Sequence, residues 1–124
     1  MKNLILLLLF TFLSITINAQ ISEVKTDGSS VKLYNDKGQY SNSIYLGENT
    51  LLGYTTEYVL IQDASYLKIY NHKGQYTGNS IYISDLRKFK SVNESRILLK
   101  EGSYVKYYNF EGRCVNQTYD DSGN

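Results

Sequence analysis

Residues Asp63 to Tyr76 read DASYLKIYNHKGQY, and Asp27 to Tyr40 read DGSSVKLYNDKGQY, nine of 14 positions identical at an offset of 36. Glu101 to Cys114, EGSYVKYYNFEGRC, matches the first of these at six of 14 positions at an offset of 38. The likeness continues downstream, where Asn42-Ser-Ile-Tyr45 returns as Asn79-Ser-Ile-Tyr82, one residue later in its copy, and as Asn116-Gln-Thr-Tyr119. A period of this length is the mark of a repeat architecture, so the fold is read from three tandem units. Their bounds fall at about 21–56, 57–94 and 95–124.

Each unit reads as a meander of strands. In Leu67-Lys-Ile-Tyr70 the period is two, which sends Leu67 and Ile69 to one face and Lys68 and Tyr70 to the other. Val31-Lys-Leu-Tyr34 and Val105-Lys-Tyr-Tyr108 stand in its place in the other copies. The connection that follows is Asn-x-x-Gly in all three: Asn35/Gly38, Asn71/Gly74 and Asn109/Gly112. Asn first and Gly fourth suit a type I turn closed by a glycine of positive φ, a three-residue hairpin with a bulge. Leu51 to Thr56 and Arg87 to Val92 supply candidate fourth strands. Asp85 to Ser95 reads as the most loop-like segment, with room for one helical turn. Beyond the first 19 residues no helical pattern of ten or more residues occurs, and Tyr, Val and Ile favour strands. The expected class is all-β, three tandem β-meander repeats of about 36–38 residues.

Ahead of the repeats, Met1-Lys2-Asn3 and the apolar run Leu4 to Leu13 lead to Ile17-Asn18-Ala19. A basic start, about ten apolar residues and a small residue at the end describe a signal peptide, whereas a membrane span needs roughly 20 apolar residues. Residues 1–19 are thus expected to be removed on export to the periplasm or beyond the cell, leaving one domain over 20–124. No integral membrane segment is expected. From Gln20 on, basic and acidic residues number 12 each. A neutral chain lacks the basic stripe of a nucleic-acid binder. One Cys makes no internal disulfide, and one Cys with one His makes no four-ligand zinc site. No metal or other cofactor is expected.

Chemistry-bearing residues are sparse. His72 holds a turn position filled by Asp36 and Phe110 elsewhere, so it reads as a solvated turn residue. Cys114 takes the place of Tyr40 and Tyr76 and reads as a half-buried strand residue. Asp27, Asp63 and Glu101 share one repeat position, which suits capping of turn amides better than catalysis, and Asp120-Asp121 lies in a tail. No acid, base and nucleophile can be assembled, so no enzyme is expected. The candidate ligand-binding residues are the ladder Lys32, Tyr34, Lys68, Tyr70, Lys106 and Tyr108, extended by Tyr66 and Tyr104. Exposed, the rings offer flat amphipathic surfaces to a glycan or a protein. Alternatively they pack against a neighbouring unit while the Lys stems lie over them.

The pattern apolar-Lys-apolar-aromatic-Asn-x-x-Gly-(Gln/Arg) resembles the inner hairpin of β-propeller blades of NHL type and, more distantly, of WD type. The stretch LLKEGSYVKYYNFEGRCVNQTYDD is similar to the WG-type repeats of bacterial surface proteins, down to the pair Tyr119-Asp120. The resemblance spans roughly residues 21–121 and implies a β-meander repeat used for binding. Propellers close with about four to eight blades, so three units leave three arrangements open. Two chains complete a ring as a homodimer, three units close by themselves as in trefoil-like barrels, or the units form an open stack. The functional expectation is an exported, non-enzymatic binding module, with a structural self-assembling subunit as the alternative.

Overall fold

The structure, a computed structural model, describes residues 20–120. The expected signal peptide and Asp121 lie outside the described residues. Eleven strands run in chain order: β1 Glu23–Asp27, β2 Ser30–Tyr34, β3 Tyr40–Tyr45, β4 Thr50–Tyr54, β5 Tyr58–Asp63, β6 Tyr66–Asn71, β7 Tyr76–Tyr82, β8 Arg87–Val92, β9 Ile97–Glu101, β10 Tyr104–Tyr108 and β11 Cys114–Tyr119. They form three antiparallel meanders, β1-β2-β3, β4-β5-β6-β7 and β8-β9-β10-β11. The described chain is all-β, in three tandem blade-like sheets with no closed barrel among them. Asp85 to Ser95 is no helical turn. Its core is β8, the fourth strand of the third sheet, and β4 is the fourth strand of the second sheet. Sheets therefore change at 46–49 and 83–86, about ten residues before the unit bounds read from the sequence.

The hairpin that repeats in sequence repeats in geometry. Gly38, Gly74 and Gly112 carry φ of 74°, 77° and 85°. Each donates its N–H to the carbonyl of the turn's Asn, at 3.0, 3.0 and 3.1 Å. The Asn side chain fixes the rest. Asn71 Oδ1 accepts from Lys73 N at 2.9 Å and Gln75 N at 3.0 Å, and Asn35 and Asn109 do the same in their turns. Asn is needed because its carbonyl mimics a backbone acceptor while staying neutral and short. A register shift follows each turn, and the extra residue of the second copy is absorbed in β7 near Gly78, whose φ is 89°.

Two apolar layers lie between the three sheets. Val31, Leu33 and Ile44, with Leu46, meet Val59 and Ile61 of the second sheet. The second sheet's other face, Leu60, Leu67, Ile69, Ile81 and Ile83, meets Ile97, Leu99 and Tyr108 of the third. Val31, Leu33, Leu67 and Ile69 are fully buried, as the alternation requires.

Register shows how the two outer faces differ from the inner ones. Opposite Tyr70 and Lys68 stand Val59 and Ile61, and opposite Tyr108 and Lys106 stand Ile97 and Leu99. The same places in the first sheet, opposite Tyr34 and Lys32, hold Glu23 and Lys25. At the other end, Thr118 pairs with Val105 where Ile44 and Ile81 pair with Val31 and Leu67. Asp120 donates its N–H to Ser103 O where Leu46 and Ile83 donate to Ser29 and Ser65. Faces with no neighbouring sheet thus carry polar residues at positions that are aliphatic inside, as terminal repeats of a stack do.

Candidate functional site

The ladder residues divide by role. Every ladder lysine is held by the acid five residues before it. Lys32 Nζ lies 2.8 Å from Asp27 Oδ2, Lys68 Nζ 2.8 Å from Asp63 Oδ2, and Lys106 Nζ meets Glu101 Oε2. The two-residue turn between strands puts these side chains diagonally across one face. The acids expected to cap turn amides make ion pairs instead, because side chains of equal parity on adjacent strands meet before they can fold back. Hydrogen bonding from Lys32 holds the Asp27 carboxyl below the usual range. Glu101 is lowered likewise, by Lys106 first and then by Arg87, whose Nη2 lies 3.3 Å from Glu101 Oε1. The ammonium groups of Lys32, Lys68 and Lys106 are stabilised in return.

The ladder rings differ among themselves. Tyr108 is buried in the layer between the second and third sheets, and that burial raises its phenol pKa. Tyr70 packs beside the layer between the first and second. Tyr34 lies half-buried on the open face of the first sheet, with Lys25 Nζ 5.3 Å from its ring centre. Only Lys32 and Tyr34 of the ladder therefore stand on an outer face. His72 sits half-buried in its turn. Cys114 is exposed rather than half-buried, since β11 has no sheet over it.

The exposed aromatic surface is made by other tyrosines. Tyr45, Tyr82 and Tyr119 close the third strand of each unit and are 77%, 53% and 66% exposed. Two of them are doubled by a cross-strand partner. Tyr66 meets Tyr82 and Tyr104 meets Tyr119, both edge to face at 5.7 Å between ring centres. Ser30 takes that place in the first sheet, opposite Tyr45. The signal was present in the repeated Asn-x-x-Tyr, whose tyrosine shares strand parity with the ladder and lies at the strand end, where no sheet covers it.

Between the second and third sheets opens a cleft of about 570 Å³. One wall is Gln62, the Ala64-Ser65 turn and Ile83; the other is Arg87 and Phe89. Arg87 belongs to the row Arg87–Glu101–Tyr104–Tyr119 that crosses the third sheet, so cleft and rim tyrosines adjoin. Among the described residues no three His, Cys, Asp or Glu side chains gather into a metal site. Among them too, no helix is long and apolar enough to cross a membrane.

No known protein family matches this chain, and no curated protein does. Among solved structures it is similar to KlHsv2 with loop 6CD replaced by a Gly-Ser linker, at a TM-score of 0.47 and 14% identity. The match covers 82% of this chain and 40% of that one, and no residue role is carried across from it.

Proposed function

We propose that the chain is an exported, non-enzymatic binding module whose contact surface is the row of rim tyrosines. One observation carries the reading: Tyr45, Tyr82 and Tyr119 occupy one repeat position and are all more than half exposed, in a chain with no Trp and only four Phe. Tyrosine at the surface gives contact area at low entropic cost and a hydroxyl for hydrogen bonding. Repetition at each sheet presents it in steps, which suits an extended glycan or protein partner better than a small substrate. Binding rather than turnover is favoured because Asp27, Asp63 and Glu101 are occupied by lysines. Lys32 and Tyr34 add to the surface on the first sheet's open face. Export through residues 1–19, with cleavage before Gln20, places the module in the periplasm or outside the cell. The test is adsorption of residues 20–124 to cell-wall and polysaccharide preparations. Retention that disappears when Tyr45, Tyr82 and Tyr119 become Ser supports the reading, and equal retention of the variant overturns it.

The alternative, a self-assembling structural subunit, has its own observation. The Gly74 turn packs on Ser43 of the first sheet and the Gly112 turn on Ser80 of the second, while a Cβ at Gly38 would meet nothing within 4 Å and β11 is exposed throughout. A Gly38 turn set on β11 of a second copy would repeat the internal contact, and doing so twice would make a homodimeric ring. The charged residues Glu23, Lys25 and Asp120 on the faces that would meet weigh toward the monomer. Light scattering on residues 20–124 separates the two: a monomer at micromolar concentration ends the ring.

A further inference from the structure

We infer that the cleft between the second and third sheets is a binding site for a neutral saccharide unit, so that the rim tyrosines hold a glycan whose ring or chain end enters here. This rests on the binding-module reading and adds a ligand class to it. The size fits, since small-ligand clefts fall in the range of roughly 300–1,000 Å³. At about 570 Å³, and open to solvent along the sheet edges, it has room for sugar rings.

The lining chooses among ligand classes. Ile83 and Phe89 give an apolar floor with one aromatic ring, both partly or wholly withdrawn from water. Around them stand acceptors and donors in mixture: the Ser65 and Ser84 hydroxyls, the Asp85 carboxylate and the backbone at Lys88, whose side chain points to the other face of β8. An ionic ligand would need an excess of one sign. Here Arg87 is already engaged by Glu101 at 3.3 Å, which leaves the single exposed Asp85 carboxylate, too little charge for an ionic ligand. A fully apolar ligand would strand the polar groups. A polyhydroxylated ring satisfies both conditions, presenting C–H groups to Phe89 and hydroxyls to Asp85 and the serines. The row Arg87–Glu101–Tyr104–Tyr119 then leads from the cleft to the rim, which gives the ligand a continuous path onto the third sheet.

Proton–nitrogen correlation spectra of residues 20–124 titrated with maltose, cellobiose and N,N′-diacetylchitobiose test this, with inorganic phosphate as the charged control. The expected result is saturable movement of the Ser65, Ser84, Asp85 and Lys88 amides with at least one disaccharide. Asp85→Ala, an exposed position, should keep the spectrum of a folded chain and weaken that Kd about fivefold or more, the loss of one hydrogen bond. No saturable movement with any of the three disaccharides overturns the assignment. So does the same set of amides moving with phosphate alone, which would make the cleft an anion site. Either failure combined with tyrosine-dependent adsorption to wall material would remove the cleft and leave the binding module standing. Loss of both would remove the two together.

Discussion

Gly112 and Ser80 stand so close that a Cβ on the glycine would lie 2.9 Å from the serine carbonyl oxygen. Gly74 repeats the relationship one unit earlier, 3.0 Å from Ser43 O. The hairpin turn of each of these sheets is therefore seated on the third strand of the sheet before it. Gly38 has a similar positive φ, but a Cβ placed there would meet nothing within 4 Å.

This set of glycines separates strain from packing. Gly38→Ala should lose about 1–2 kcal/mol for placing an L side chain at positive φ. Gly74→Ala and Gly112→Ala should lose that and more, because a backbone carbonyl must move. Thermal or urea melting of the three variants checks the order. Equal losses would mean that the turns are not seated on the neighbouring strands.

Ala64 is the one described residue other than glycine with positive φ, 53°, at a turn position held by Gly28 and Gly102 in the other units. Only the first central residue of each turn has positive φ, the pattern of a II′ hairpin, in which glycine is favoured there. Ala64→Gly should stabilise the chain by about 0.5–1 kcal/mol, the relief of strain less the extra freedom of glycine when unfolded. A lower melting temperature would contradict this.

The acid limb of the stability curve should depend on Glu101. Its carboxyl is held below the usual range in the folded chain, so its contribution is present above the unfolded-state pKa and is lost as pH falls through the folded one. Lys106, raised by the same pair, contributes below the ordinary lysine pKa and stops doing so as pH rises through its folded value. Melting curves of wild type and Glu101→Gln should converge between about pH 5 and about pH 3. Because both side chains keep some solvent contact, the difference near neutral pH should be small. Parallel curves throughout would show that the pair does not form.

The polar outer faces should be what keeps the stack from growing. Glu23→Val with Lys25→Ile would give the first sheet the aliphatic pair its neighbours have opposite Tyr70 and Tyr108. Concentration-dependent association should follow, measured by light scattering, while wild type stays monomeric. A double variant as monomeric as wild type would mean that those positions do not face solvent.

Strands and turns were legible in the sequence because both are local: alternation places Leu67 and Ile69, and the Asn-x-x-Gly pattern carries its own hydrogen bonds. The sheet boundaries were not, since a repeat has the same period wherever it is cut, and Leu51 to Thr56 looks equally apt to end one unit or begin the next. Nor was the fate of the ladder rings. Parity tells that Tyr34, Tyr70 and Tyr108 share a face, but not that two of those faces are covered by a neighbouring sheet. Asp27, Asp63 and Glu101 were misread for a related reason, because their partners five residues on meet them only once strand register is known. The rim tyrosines needed the third dimension too, as strand parity alone ranks them with the ladder.

The central proposal is that the rim tyrosines bind while Tyr70 and Tyr108 of the ladder hold the sheets together. One adsorption measurement on a native wall or polysaccharide preparation, run beside melting curves, tests it on two sets of variants. Tyr45, Tyr82 and Tyr119 changed together to Ser should leave the melting transition near that of wild type and abolish retention. Tyr70 and Tyr108 changed to Ser should lower the transition by several degrees, and whatever fraction stays folded should still be retained. Retention lost with the second set while folding is intact, and kept with the first, would contradict the account.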